Sequence, residues 1–271
     1  MKKIIGIGIF LISQMISSQA AKLTSINPSD MTMIKSFAPT GTLRVGINLG
    51  NPVLAGSIDQ SQPQPKGVTI DIAQEIGKQA KLPVELISYQ SAGATVEALK
   101  ANQIDLIFVA IDPVRGADIS YTPAYIQIEG AYLVKASSPL HKHEEVDAVG
   151  NEIVVGKGSA YDLYLTREIK QATLLRSASS QTVVDDFMKG KGNIAAGVKQ
   201  QLESDAQRYE GLRILPDRFM VINQAIGVPK SRPEFEKTTA FLSGIIADLK
   251  ASGFIAASMK RHGIQGAKVA E

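Results

Sequence analysis

IDLIFVAIDPVRGADISYTPAY, residues 104 to 125, contains the pattern from which the fold can be predicted. Residues 104–110 form a near-continuous apolar run, which is typical of a strand buried on both faces of a parallel sheet. The run ends in a proline-containing loop that carries one arginine, Arg115, between Asp112 and Asp118. Open α/β sheets bind ligands at the carboxyl ends of their strands. The stretch therefore predicts a buried strand that delivers Arg115 to a ligand site.

The residues before this strand alternate between the patterns of strands and helices. A period of two over Leu43, Val45 and Ile47 indicates a half-buried strand, and the apolar residues after Val68 recur with a helical period until Pro83 ends the helix. The elements predicted before the arginine occur in the order β-α-β-α-β, over residues 43–47, 68–82, 84–87, 94–102 and 104–110. Strands that are apolar on both faces imply a parallel sheet covered by helices.

The same alternation restarts downstream of Arg115. Strand patterns lie over 152–155, 173–175, 194–196 and 212–215, helix patterns over 160–170, 181–188 and 199–208, and an apolar run over 219–228 precedes two helices within 233–262. The chain of 271 residues, 44% hydrophobic and 20% charged, is long enough for two such α/β units. Two units that face each other would form a cleft of the kind in which ligands bind.

The chain has no cysteine, and this excludes several classes of site. A disulfide framework, a thiol nucleophile, a zinc–thiolate site and an acylated-cysteine anchor all need one. His141 and His143 lie beside acidic residues, but a spacing of two suits neither a helix nor a tight metal site, so we predict a solvated loop and no metal. No spacing of Ser, His and Asp indicates a nucleophile elbow or a triad, and we expect no cofactor.

The beginning of the chain has the pattern of a cleaved export signal. Lys2 and Lys3 precede an apolar run over residues 4–12, and small residues two apart mark a cleavage site after Ala20. An uncleaved membrane anchor is the alternative, but that run is far shorter than the ~20 residues that cross a bilayer. Removal of both lysines would lower the formal charge from +3 to +1, too weak a basic field for nucleic acid. We therefore predict that residues 1–20 are a signal peptide and that the protein is periplasmic.

Six short segments occur in an order that resembles the bacterial extracellular solute-binding proteins of family 3. They are Gly41–Gly46 (GTLRVG), Gly67–Ala73 (GVTIDIA), Ala98–Asp105 (ALKANQID), Arg115 with Ile119–Tyr125 (ISYTPAY), Gly156–Ser159 (GKGS) and Gln224–Lys230 (QAIGVPK). Members of that family are polar amino-acid receptors of ABC importers. The resemblance implies a monomeric receptor with a membrane permease as partner and a small carboxylate-bearing solute, an amino acid first of all, as ligand.

The resemblance also implies a two-lobe α/β fold, the periplasmic-binding-protein fold, in which each lobe is a mostly parallel sheet flanked by helices. Two crossing strands join the lobes, and we place them at residues 131–136 and 223–228. After the signal peptide, the predicted division is an N-terminal arm over 21–40, a discontinuous lobe 1 over 41–134 and 223–271, and lobe 2 over 135–222. We expect the polar arm to be loosely docked.

The resemblance assigns Arg115 to the ligand carboxylate. A guanidinium suits that role because its planar fork donates two parallel hydrogen bonds to a carboxylate. The alternative is a structural Arg115 that pairs with Asp118 or Asp112 within its own loop.

Lobe 2 supplies a second predicted contact. Residues 158–160 open a helix, and the free N–H groups and the dipole of such a start favour an anion, while Ser159 can also be the N-cap. Ser91 and Gly93 precede a lobe 1 helix in the same way. The residues predicted to bind the ligand are Arg115, Ser159, Ala160, Ser91, Gly93, Ala110, Asp112, Asn51 and Glu129.

One departure from the family concerns the ligand ammonium. Many members hold it with a lobe 2 aspartate at the end of the strand that covers residues 194–196 in this chain. This chain has no aspartate there, because Gly197 and Val198 follow the strand. Asp112, Glu129 and Asp162 are the possible replacements. An organic acid or another anion therefore stays open as the ligand.

An enzyme is the alternative on the same fold, because the chain also resembles the periplasmic cyclohexadienyl dehydratases. There a carboxyl group in the cleft acts as general acid on a bound carboxylic acid, and turnover of prephenate or arogenate would reveal it. Glu129 is the residue expected in that role if burial at the hinge raises its pKa. Otherwise we expect Glu129 to form a salt bridge that steadies the crossing strands. A sensory or structural lobe pair without a ligand is a third class.

Overall fold

The computed structural model describes residues 28–56 and 64–271, so the predicted signal peptide lies outside the described residues. The strands are β1 (Leu43–Asn48), β2 (Val84–Tyr89), β3 (Leu106–Ala110), β4 (Ile119–Tyr121), β5 (Ile126–Lys135), β6 (Glu152–Gly156), β7 (Thr173–Ser177), β8 (Ile194–Val198), β9 (Leu212–Ile214), β10 (Met220–Pro229) and β11 (Lys268–Val269). The helices are α1 (Pro28–Phe37), α2 (Val68–Ala80), α3 (Ala92–Lys100), α4 (Ala160–Glu168), α5 (Val183–Met188), α6 (Lys199–Arg208), α7 (Phe235–Ala251) and α8 (Phe254–Arg261).

The main sheet has the strand order β2-β1-β3-β10-β5-β8-β6-β7. One parallel set, β2-β1-β3, forms the centre of lobe 1, and a second, β7-β6-β8, forms the centre of lobe 2. Strands β10 and β5 lie between the two sets and run antiparallel to their neighbours. The buried strands β3 and β8 are apolar throughout, because they are covered on both faces. The predicted two-lobe α/β fold is confirmed.

Strands β5 and β10 carry the chain between the lobes. They pair with each other over residues 126–130 and 220–224, after which β5 continues onto β8 and β10 continues onto β3. The crossing therefore begins several residues before the predicted ranges 131–136 and 223–228. Each strand is ten residues long, and its sequence pattern does not reveal which half pairs with which partner. The predicted lobe limits fall within these strands and stay a proposal.

The expectation of a loosely docked arm is wrong for the residues that the structure describes. Helix α1 places Met33 and Phe37 on one face, four residues apart, and both side chains are buried in the core of lobe 1. Arg232 donates to the carbonyl oxygen of Phe37 at 2.9 Å, and Ser36 donates to that of Pro233. The polar composition of the segment conceals this short apolar stripe.

Helices α7 and α8 return to lobe 1. Leu242, Ile245, Ile246 and Leu249 form the buried side of α7, as the helical spacing predicts. No single described helix has the length and composition to cross a membrane; α7 and α8 pass that test together but are bent by 70°.

The buried carboxylate of Asp105 joins three segments of lobe 1 by ion pairs with two arginines. Its carboxylate is fully buried and lies 2.7 Å from Nη2 of Arg44 and 2.7 Å from Nη1 of Arg232. It also accepts the backbone N–H of Arg44 at 2.8 Å. Strand β1, the start of β3 and the turn before α7 are held at one point in this way.

We expect Asp105→Asn to destabilise the protein by on the order of 3 kcal/mol, because two arginines would lose their common counter-charge. Chemical and thermal unfolding measure the loss. Asp118→Asn is the matched control, since Asp118 is 56% exposed and its ion pair among the described residues is with Lys100 at 3.3 Å. Equal stability of the two variants would contradict the structural role of Asp105.

Candidate ligand-binding site

A small cavity lies where the carboxyl ends of the strands of both lobes meet. Its volume is about 30 Å³, room for about two water molecules. It is lined by Asn48, Gly50, Asn51, Ala92, Val109, Ala110 and Arg115 from lobe 1, Ile222 and Gln224 from the crossing strand β10, and Ser159, Ala160, Tyr161, Ser180 and Val198 from lobe 2. Four predicted ligand residues, Asn51, Ala110, Ser159 and Ala160, thus lie together with Arg115.

Arg115 reaches the cavity from the loop after β3, in a short 3-10 turn over Arg115–Ala117. Its side chain is only 6% exposed, yet its described hydrogen-bond acceptors are both carbonyl oxygens. Nη1 donates to Ala110 at 3.1 Å within lobe 1, and Nη2 donates to Gly158 at 2.8 Å across the cavity in lobe 2. Burial lowers the pKa of Arg115, and the nearby Tyr121 and Asp112 oppose that shift. Within the part of the chain that the structure describes, the guanidinium is therefore hydrogen-bonded but makes no ion pair with a carboxylate.

The side chain of Arg115 does not form the ion pair with Asp118 or Asp112 that is the alternative to a ligand role. Asp118 faces away and pairs with Lys100. Asp112 accepts the backbone N–H of Val114 at 2.8 Å and so shapes the turn, but its other oxygen pairs with Arg167 rather than with Arg115. The guanidinium of Arg115 can donate to a ligand in the cavity once its hydrogen bond to the carbonyl oxygen of Gly158 is broken.

Asp112 does not line this cavity but pairs with a residue of the other lobe, so its prediction as a ligand contact stays a prediction. Arg167, on α4 in lobe 2, donates from Nη2 to Asp112 at 2.9 Å, and only 4% of the Asp112 side chain is exposed. The pair joins the two lobes directly. No pattern in the sequence marks Arg167, because a basic residue in the last turn of a helix is ordinary.

Two glycines allow the lobes to approach each other. A Cβ atom on Gly158 would lie 3.1 Å from Cα of Gly93, and Gly158 has a φ of +69°, which favours glycine. Gln181 adds a bond across the cleft, from Nε2 to the carbonyl oxygen of Leu49 at 2.6 Å. The predicted residue Gly93 is thus a contact between lobes and does not line the cavity.

The two predicted helix starts are confirmed as caps. Ser159 accepts from the backbone N–H of Asp162 at 3.0 Å at the start of α4, and Ser91 accepts from that of Ala94 at 3.2 Å at the start of α3. Ser159 lines the cavity, whereas Ser91 does not, and its neighbour Ala92 does.

Asn51 has an unsatisfied polar atom at the cavity. Its Oδ1 is buried without a hydrogen-bond partner among the described residues. Asn48, also at the cavity, accepts from the backbone N–H of Gly50 at 2.9 Å. A buried acceptor without a donor costs free energy, so Asn51 favours a donor at that place.

Glu129 does not line this cavity, so its predicted roles as a ligand contact and as a general acid stay predictions. It borders a separate cavity with Arg218 and Lys268 on the crossing strands. Oε1 lies 2.6 Å from Nη1 of Arg218 and Oε2 lies 3.6 Å from Nζ of Lys199. The hydrogen bond from Arg218 lowers the pKa of Glu129, although burial opposes it. A salt bridge at the crossover is the role that the structure gives it.

We expect Arg167→Gln to shift the protein toward a more open arrangement, because Asp112 would lose its partner in the other lobe. Small-angle scattering should show a larger radius of gyration than for the unchanged protein. Arg176→Gln is the matched control, because Arg176 pairs with Asp162 at 3.0 Å within lobe 2. An equal radius for both variants would contradict the bridging role of Arg167.

Comparisons with known proteins agree with this architecture. The profile of bacterial extracellular solute-binding proteins, family 3, matches residues 43–265. An arginine-binding periplasmic protein of Mannheimia haemolytica is 24% identical over 155 residues, which are 56% of this chain and 62% of that protein, so the match spans less than two thirds of that relative.

Solved structures show the same fold at low identity. The substrate-binding protein of an amino acid ABC transporter from Streptococcus pneumoniae, bound to L-arginine, has a TM-score of 0.71 at 17% identity and covers 85% of this chain and 97% of its own. The ancestral amino acid-binding protein AncCDT-1, a precursor of cyclohexadienyl dehydratase, has a TM-score of 0.70 at 15% identity and covers 84% of this chain and 98% of its own. With the profile covering most of the chain and both lobes present, this protein belongs to the bacterial extracellular solute-binding proteins, family 3.

Proposed function

We propose that this protein is the periplasmic receptor of an ABC importer, and that it holds a small carboxylate-bearing solute in the cavity between its lobes. One observation carries the proposal: the guanidinium of Arg115 is buried at that cavity, and the acceptors that it has among the described residues are carbonyl oxygens. A buried charge without a counter-charge is costly, and a ligand carboxylate would remove that cost.

The geometry supports a carboxylate in particular. Nη2 of Arg115 bonds Gly158 across the cleft, so a ligand that enters between the lobes can replace one carbonyl with two carboxylate oxygens. The first turn of α4 starts beside this point, at Ser159 and Ala160, and its N–H groups favour negative charge. Contacts from both lobes would then stabilise the closed state.

Two ligand classes follow. The names of the relatives make amino acids the first class to test. An organic anion without an ammonium is the second, and the cavity favours it because the described lining contains no acidic side chain. Mass spectrometry of small molecules released by denaturing the purified protein would identify a ligand that co-purifies.

Binding without catalysis is the activity that we propose. The carboxyl group expected to act as general acid, Glu129, lies outside the cavity and is paired with Arg218. Prephenate and arogenate should therefore remain unchanged when incubated with the purified protein. Formation of product would overturn this part of the proposal.

Export through the predicted signal peptide is a further part of the proposal. The mature protein should begin at Ala21, because the pattern of small residues ends at Ala20. Intact mass of the protein from a periplasmic extract measures this. A species that retains Lys2 and Lys3 would contradict the cleavage and the location.

We expect Arg115→Ala to weaken binding of the identified ligand by roughly a hundredfold to a few thousandfold, because its carboxylate would be desolvated without a partner, at about 3 to 5 kcal/mol. Arg115→Lys should restore only part of the loss, since an ammonium cannot present two coplanar donors. Calorimetric titration measures both variants.

Asp118→Asn is the control for this series, because it changes the same loop outside the cavity. A drop in melting temperature for Arg115→Ala with unchanged affinity would contradict the ligand role of Arg115.

A further inference from the structure

We infer that the cavity selects a small monocarboxylate that carries a hydroxyl or another neutral donor in place of an ammonium group. The inference rests on the proposed function and specifies its ligand. Among the described residues that line the cavity, Arg115 is the cationic side chain and none is acidic. One carboxylate therefore balances the charge of the site, whereas a zwitterion would leave a net positive charge buried.

The carboxylates near the cleft are already engaged. Asp112 pairs with Arg167 at 2.9 Å, and Asp162 pairs with Arg176 at 3.0 Å while it accepts the backbone N–H of Gly158 at 2.9 Å. Neither residue lines the cavity. To meet a ligand ammonium, either aspartate would have to leave its arginine, and that arginine would then lose its partner.

The wall in lobe 2 and the crossing strand is mixed, with the polar side chains of Ser159, Tyr161, Ser180 and Gln224 beside an apolar part. Val198 ends β8 at the cavity, and Ala160 and Ile222 lie beside it. An ammonium turned toward the apolar part of this wall would lose its water without gaining a carboxylate partner. The aliphatic part of a ligand suits the same surface, since its burial is favourable.

Asn51 provides the complementary polar contact. Its buried Oδ1 has no donor among the described residues, and one hydroxyl from the ligand would satisfy it. A neutral donor adds no second positive charge beside Arg115. A 2-hydroxy acid carries both required groups, the carboxylate and the donor.

Matched ligand pairs test the inference. Protein freed of ligand by unfolding and refolding is titrated calorimetrically with L-amino acids and with the 2-hydroxy acids of the same carbon skeletons. In the pair that binds best, the hydroxy acid should bind at least about a hundredfold more tightly, in line with the cost of a buried unpaired charge. An amino acid that binds as tightly as its hydroxy acid would overturn the inference.

An isosteric variant provides the second test. Asn51→Asp places a carboxylate where Oδ1 now lies, so it should shift the binding preference toward the amino acid by at least about tenfold. Asn51→Ala should weaken binding of the hydroxy acid without strengthening binding of the amino acid. An unchanged preference in Asn51→Asp would contradict the role of Asn51.

Failure of the proposed function gives a different result. If no member of any pair binds, or if Arg115→Ala binds every member as the unchanged protein does, the carboxylate receptor itself is wrong. Preference for the amino acid combined with loss of binding in Arg115→Ala would leave the receptor standing and remove only the inference.

Discussion

The antiparallel pairing of β5 with β10 is the constraint on which the rest of the structure depends. Ile128 lies opposite Ile222 at the middle of that pairing, and from there each strand becomes part of a different lobe. This arrangement brings the carboxyl ends of β3 and β8, at Ala110 and Val198, to one cavity. Among the described strands, β5 and β10 are the two that cross between the lobes, so a rotation of one lobe against the other would take place about them.

The loop after β3 determines how the lobes meet. Arg115 reaches Gly158, and three residues earlier Asp112 reaches Arg167, so one loop of lobe 1 makes two polar contacts with lobe 2. The two contacts differ in electrostatics. The Asp112 carboxylate is paired with Arg167, while the acceptors of the Arg115 guanidinium among the described residues are carbonyl oxygens. A ligand can favour the closed state only if it binds that state more tightly than the open state. An anion would do so most effectively by contacting the guanidinium of Arg115.

Period and composition were sufficient to predict the alternating elements, the parallel sets and the arrival of Arg115 at a cleft. These features depend on local pattern and on the general location of sites in α/β sheets. The pairing of Asp112 with Arg167 was not predictable, because its partners lie in different lobes and neither has an unusual sequence context. The position of Glu129 away from this cavity was not predictable for a related reason: strand alternation predicts that its neighbours face opposite ways, but it does not identify which face borders the cavity. Helix α1 was missed because its two buried apolar residues, Met33 and Phe37, are a weak periodic signal in a largely polar segment.

The pairing of carboxylates with arginines bears on recognition and on catalysis together. Asp112, Asp162 and Glu129 each have an arginine partner, and none of the three lines the cavity. A carboxylate held in an ion pair is a poor acceptor for a ligand ammonium, because it must first abandon its partner. It is also a poor general acid, because the positive partner favours the ionised form, as the lowered pKa of Glu129 illustrates. The same electrostatic feature therefore argues against a zwitterionic ligand and against proton transfer, and it leaves a cavity whose main charge is the guanidinium of Arg115.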